Sequence, residues 1–235
     1  MKSKHWVFFM VILLTIAMAT TVFAQAKIRW RAGSTWTPAI NLIDSDRYFV
    51  KIVNEMTGGQ FTISHHPAGE IVPAFELFDA VAKGALEGGF DWPSYWAGKN
   101  TAFDLIGSVN FWMTPLDYVT WVYAGGGLEL IRELFAKYNI HYIPTGMTPS
   151  ESGFRSNKPI RTLADYKGMT IRTPLAQTMW ILEQVGAKPV KIPGGEIYMA
   201  LKLGTIDAAE FSNVSCDWGM KFQEVTKYWN VPCWF

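Results

Sequence analysis

Cysteine and histidine are both scarce in this 235-residue sequence, with two of the former and four of the latter. Cys216 and Cys233 stand apart at a spacing that fits no zinc pattern, His65 and His66 are adjacent, and His141 is alone. No G-x-S-x-G, H-E-x-x-H or C-x-x-C occurs, so the usual nucleophilic and metallohydrolase arrangements are missing. Gly125-Gly126-Gly127 lacks both the G-x-G-x-x-G spacing and a phosphate-loop lysine, and it reads as a turn of close approach. An excess of one charge is absent too. The 21 Lys and Arg nearly balance the 20 Asp and Glu, for a net charge of +1. That leaves no electrostatic footprint for a nucleic-acid partner.

What is present begins with a long apolar run. After Lys2 and Lys4 the sequence is uncharged from Trp6 to Met18 and closes on small residues ending in Val22-Phe23-Ala24. This is the pattern of a signal peptide over 1–24, with a short membrane anchor as the alternative, and it predicts export to the periplasm. Without the two lysines the net charge moves from +1 to −1. In an oxidising compartment Cys216 and Cys233 are either a disulfide pair or structural thiols. The 49% hydrophobic content is that of a globular chain.

Two stretches repeat one plan. In the first, a strand KIRWRAG leads to a helix from about Asn41, a strand over 61–65, a helix over 74–84 and a strand from Leu86. In the second, a strand over 169–172 leads to a helix over 174–185, a strand over 189–192, a turn at Pro193-Gly194-Gly195, a helix over 196–203 and a strand over 206–211. AVAKGALEGGF at 80–90 overlays ALKLGTIDAAE at 200–210, with Gly84 on Gly204 and Glu87 on Asp207. Strand and helix alternating twice predict two α/β lobes with a cleft between them. An aromatic stretch over 92–123 and an amphipathic helix over 128–137 join the two runs. Of its tryptophans, Trp92, Trp96, Trp112 and Trp121 are assigned to packing.

Within the second run, Thr162 and Asp165 form a capping box, Gly168 ends a short helix, and Arg172 closes a strand, with Thr173 as N-cap and Pro174 as first helical residue. Arg172 is thereby placed at the carboxyl end of a strand, where open α/β sheets bind ligands. A guanidinium there can clamp a carboxylate with two charge-assisted bonds.

The segments FRSNKPIRTLADYKGMTIRTP, GAKPVKIPGGEIYMALKLGTIDAAEF and HHPAGEIVPAFELFDAVAKGALEGGFDWPSYWAGKN together resemble the DctP family of extracytoplasmic solute receptors of TRAP transporters, over most of 28–234. WPSYWAGK, AGGGLEL and TIDAAEF are similar to the branch that receives 2-oxo acids and related monocarboxylates. The resemblance implies a two-lobed periplasmic binding protein fold of type II, capture of a small organic acid, delivery to membrane permease subunits, and no catalysis. It implies lobe I over 25–150, lobe II over 151–212, and a return segment between lobes beginning at 213–235. The family continues well past this point, so the sequence is expected to be a truncated chain or gene fragment with uncovered apolar faces.

For the site, the resemblance implies that Arg172 binds the ligand carboxylate. Glu210 matches the acid of a Glu-Trp pair that holds cation and ligand, while Phe211 replaces its indole. Glu151 stands where the branch has a glutamine. Tyr95 and Trp36 are expected to line the cleft with Phe211. Glu151 and Glu210 are the tentative ligands of a bound cation, sodium or calcium; a second carboxylate favours calcium. A sensory ligand-binding module and a secreted carboxylate-processing enzyme are the other readings.

Overall fold

The computed structural model describes residues 27–110 and 112–231. The expected signal peptide and Cys233 lie outside the described residues; Cys216 is fully buried. Strand β1 (Ile28–Ser34) is exposed over its first four residues and buried over its last three, so it runs from the surface into the interior. Helix α1 (Ile43–Met56) buries Ile43, Asp46 and Val50 at helical spacing. The inward-facing Asp46 is kept by the Ser34 hydroxyl, which donates to it at 2.7 Å. Strand β2 (Phe61–His66), helix α2 (Leu77–Ala82) and strand β3 (Gly88–Phe90) complete the first unit. All three strands are parallel, in the order β2-β1-β3.

Helices α3 (Ala102–Gly107), α4 (Pro115–Ala124) and α5 (Gly127–Ala136) follow. They join the first lobe through Phe78 of α2, whose ring meets Trp96 at 5.0 Å and Phe103 at 5.5 Å. Thr114 and Asp117 cap α4 reciprocally. The triple glycine is the predicted close-approach turn: Gly126 has φ 81°, and a Cβ on Gly127 would lie 2.6 Å from the Trp121 ring. Trp92, Trp96 and Trp121 pack as expected, but Trp112 is 64% exposed, and Leu116 and Tyr123 of α4 are exposed as well.

The second sheet holds β4 (Arg155–Ser156), β5 (Thr170–Arg172), β6 (Lys188–Val190), β7 (Ala208–Ala209) and β8 (Tyr228–Trp229), in the order β6-β5-β7-β4-β8. Its parallel part, β6-β5-β7, repeats the order of the first sheet. Helices α6 (Ala176–Gln184) and α7 (Gly194–Leu203) connect these strands, and α8 (Val214–Gly219) and α9 (Phe222–Val225) lead to β8, which pairs antiparallel with β4.

The overlay of the two runs holds in detail. Gly84 and Gly204 both have φ 72°. The amides of Ala85 and Leu86 return to the Ala80 carbonyl, as those of Thr205 and Ile206 return to Ala200. Glu87 accepts from the Arg31 amide of β1 at 2.8 Å, and Asp207 from the Thr170 amide of β5 at 2.9 Å. In both lobes an acid just ahead of the third strand ties down the central one.

Among the boundaries that differ from expectation, three trace to contacts with other parts of the chain. α6 starts at Ala176 rather than Pro174, because the Thr173 amide still pairs with the Val190 carbonyl and a residue before proline favours extended backbone. Gly194 and Gly195 open α7 instead of forming a turn: their missing side chains admit neighbours, since a Cβ on Gly194 would lie 2.3 Å from the Phe211 ring and one on Gly195 2.6 Å from Thr37. β7 shrinks to two residues because the Glu210 carbonyl is taken by the Arg172 side chain at 2.6 Å.

One apolar cluster bridges the lobes, from Trp36, Ile40 and Phe78 to Ile197, Leu201 and Phe211, and a second, around Phe154, Ile171 and Leu182, fills the second sheet. Among the described residues, no helix is long and apolar enough to cross a membrane.

Candidate functional site

The carboxyl ends of the parallel strands converge between the lobes. Ser34 ends β1 with Trp36 two residues on, Phe90 ends β3 ahead of Tyr95, Arg172 ends β5, and Glu210 and Phe211 follow β7. Arg172 is fully buried and Glu210 is 2% exposed. The guanidinium is only partly used by the protein. Nε donates to the Ile192 carbonyl at 3.2 Å, and Nη1 to the Glu210 carbonyl at 2.6 Å and to Glu210 Oε1 at 3.4 Å. Nη2 is buried with no hydrogen-bond partner among the described residues. A buried charged donor without an acceptor is costly, and its presence in a native fold calls for an explanation.

Around that donor stands an aromatic wall from both lobes. The Phe211 ring lies 5.3 Å from the Arg172 guanidinium carbon. Trp36 meets Phe211 edge-on at 6.3 Å and Tyr95 at 5.9 Å. Burial raises the Tyr95 phenol above its ordinary value, against the opposing field of Arg172. The structure thus brings together Arg172, Glu210, Phe211, Trp36 and Tyr95.

Behind the arginine lies a pool of carboxylates. Burial raises Glu210 to about 7, against the pull of Arg172 and with a push from Asp217. Burial, then Glu210 and Asp217, raise Glu151 well above the carboxylate range, and its Oε2 is buried without a hydrogen-bond partner among the described residues. Asp217 is raised to about 6, chiefly by burial. Ser152 Oγ donates to Asp217 Oδ2, Arg155 Nε does so at 3.4 Å, and Asp217 Oδ1 has no partner among the described residues. Cys216, beside them, is pushed up to about 12 by burial and the two acids, so it is an inert thiol.

Sequence reasoning missed Asp217 and Lys191. Asp217 lies on a short helix whose readable signal, the Asn213 side chain accepting the Cys216 amide at 3.1 Å, marks only the helix start. Lys191 follows β6 in a run, Val190-Lys191-Ile192, that resembles a half-exposed strand. Its amine instead crosses to the Tyr95 carbonyl and sits 5.0 Å from the Phe75 ring. Burial lowers its pKa.

Residues 33–233 match the family described as bacterial extracellular solute-binding protein, family 7, or DctP. The chain belongs to the DctP family. Among curated relatives, it is 32% identical over 95% of its length to the monocarboxylate 2-oxoacid-binding periplasmic protein of Nostoc sp., and spans 62% of that protein. Among solved DctP-type structures, a TRAP periplasmic solute-binding protein of Pseudoalteromonas atlantica with bound sodium and pyruvate superposes with TM-score 0.83 at 35% identity, covering 88% of this chain and 63% of its own. One from Colwellia psychrerythraea with bound calcium and pyruvate gives 0.83 at 34%, with the same coverage. A third, from Bordetella bronchiseptica with copurified calcium and picolinate, gives 0.84 at 33%, covering 89% of this chain and 62% of its own. The two-lobed α/β fold is therefore that of the DctP solute receptors, a family that acts outside the cytoplasm. This chain spans a little over three fifths of such relatives.

Proposed function

We propose that this protein captures a small organic acid, of the monocarboxylate or 2-oxo acid kind, as the solute receptor of a TRAP-type transporter in the periplasm, and releases it unchanged to membrane permease subunits. The single observation that carries this reading is Nη2 of Arg172, buried between the lobes and without a partner among the described residues. An acid carboxylate there accepts from Nη2 and shares the guanidinium with Glu210, while Trp36, Tyr95 and Phe211 enclose its apolar part. The relatives with pyruvate bound support this ligand class. Release without chemical change is the reading that accords with a family of solute-binding proteins.

The buried oxygens of Glu151 and Asp217 that have no partner among the described residues, with Glu210 beside them, fit a hard cation in charge. Among the described residues no three His, Cys, Asp or Glu side chains form a metal-binding group. A cation held by Glu210 and Glu151 would therefore draw further oxygens from backbone carbonyls or the acid. When bound it supplies charge compensation, letting both carboxylates ionise next to an anionic ligand.

A thermal-shift screen of pyruvate, longer 2-oxo acids, succinate and glucose, with product analysis of each mixture, tests the proposal. Pyruvate-like acids should raise the melting temperature and be recovered intact. Stabilisation by glucose alone, or turnover of the acid, would overturn it.

A further inference from the structure

Behind the Trp36 side of the aromatic wall, the end of β1 is tied to α1 by a chain of polar groups that neither Arg172 nor the carboxylate pool uses. Asp46 lies on the face of α1 that carries Ile43 and Val50 into the core, and it is 2% exposed. A buried acid is a weak source of stability, and an apolar side chain there would simply continue the stripe. The contacts of Asp46 lead instead to the strand end. Ser34 Oγ donates to Asp46 Oδ2 at 2.7 Å and accepts the Trp36 amide at 3.1 Å. His65 Nε2 on β2 lies 3.5 Å from the same Oδ2. On the far side of the residue, the Trp36 carbonyl accepts the Ala68 amide at 2.9 Å, while the Thr35 amide donates to the Phe90 carbonyl at 3.0 Å. Ser34, Thr35 and Trp36 are all buried. Every one of these partners belongs to the first sheet and its connections, so none of them depends on how the two lobes stand to one another.

We propose that Asp46 is a positioning residue for the acid site: it engages the Ser34 hydroxyl proton, turns the lone pairs of that oxygen to the Trp36 amide, and so sets where the indole stands. A serine hydroxyl has one proton and two lone pairs, and its rotor follows the acceptor it is given. With Asp46 as acceptor the proton is committed. The oxygen is then free to hold the amide two residues on, a side-chain turn that fixes the bend by which the chain leaves β1. Without Asp46 the hydroxyl can swing to another acceptor, and Trp36 keeps only its carbonyl anchor at Ala68. The Trp36 ring lies 5.9 Å from the Tyr95 ring, so a displaced indole alters the wall that both residues build. That Trp36 encloses an acid rests on the proposed receptor role; that Asp46 places Trp36 does not.

The test labels the ligand-free chain with 5-fluorotryptophan, and Trp36→Phe and Trp180→Phe identify the fluorine resonances of those two residues. Asp46→Leu and Ser34→Ala should each shift or broaden the Trp36 resonance and leave that of Trp180, 62% exposed on α6, in place. Asp46→Asn keeps an oxygen for the Ser34 hydroxyl and should return the Trp36 resonance close to its parent position. With pyruvate as probe, titration calorimetry should show the dissociation constant of Asp46→Leu and Ser34→Ala raised about three- to tenfold, the scale of one hydrogen bond, and that of Asp46→Asn close to the parent. A Trp36 resonance unmoved in both Asp46→Leu and Ser34→Ala overturns the proposal, as does a moved resonance with unchanged affinity for pyruvate. Should Asp46→Leu lose its far-UV circular dichroism, Ser34→Ala decides. If the parent does not bind pyruvate, the receptor reading fails while the fluorine spectra still judge whether Asp46 places Trp36.

Discussion

Arg172 illustrates how one side chain can be both fully buried and incompletely used. Two of its nitrogens are spent on the Ile192 and Glu210 carbonyls, which fix the guanidinium plane and aim the third into the cleft. A lysine has neither the fork nor the fixed plane. Arg172→Lys is expected to weaken binding of pyruvate by about 1.5–3 kcal/mol, the range of a charge-assisted hydrogen bond, although the charge is kept. Titration calorimetry returning the parent affinity would place Arg172 outside the site. The position of this residue was legible from the strand and proline around it. Its hydrogen bonds to Glu210 were not legible, since no local pattern says that residues at the ends of separate strands share a hydrogen bond.

The same pool of acids sets a pH dependence. Glu210, raised to about 7, and Asp217, raised to about 6, hold their protons more tightly in the folded chain than in the unfolded one. Their contribution to stability is complete below the unfolded carboxylate range, near pH 4, and is lost as pH rises through about 6 to 7. Urea denaturation of the ligand-free protein should therefore show declining stability from pH 5 to pH 8. In Glu210→Gln that decline should be shallower. A parent whose stability rises steadily over this interval would contradict the burial of the two acids.

At the scale of elements, the paired β-α-β-α-β plan could be read because its signals are local: the capping box of Thr162 with Asp165, left-handed glycines at Gly84 and Gly204, and alternating apolar spacing. The misread boundaries are those set by distant parts of the chain. Gly194 and Gly195 look like a turn in sequence, yet they are glycines because Phe211, Ile40 and Thr37 come against the start of α7. Gly194→Ala supplies a better helix former and should nonetheless destabilise the chain by about 1–3 kcal/mol, the usual range for overpacking. It should also weaken acid binding by displacing Phe211 from beside Arg172. An exposed control, Gly98→Ala, has open space for the new methyl. Equal melting temperatures for parent and Gly194→Ala would mean that the ring and helix can separate freely.

For the molecule as a whole, the proposed capture of an acid raises a question of charge balance. Arg172 faces Glu210, Glu151 and an incoming carboxylate in a buried space, an excess of negative charge that protons or a cation can relieve. Chelator-treated protein, checked for retained folding, should bind pyruvate more weakly at pH 8 than protein given calcium or sodium, and the gap should narrow towards pH 5, where the acids are protonated. Equal affinity with and without added cation at pH 8 would remove the cation from the site.

The strand order of the second sheet also bears on when each lobe can form. β1, β2 and β3 lie within 28–90, so the three described strands of the first sheet are all available once that length of chain is. β4 must instead wait between two partners that arrive much later, β7 at Ala208–Ala209 and β8 at Tyr228–Trp229. Contacts so distant along the chain close slowly. A chain emerging from amino to carboxyl end therefore passes through a stage in which one half is structured and the half bearing Arg172 is still assembling. The sheet that bears Arg172 is thus paired later than the first, since β4 waits for β7 and β8.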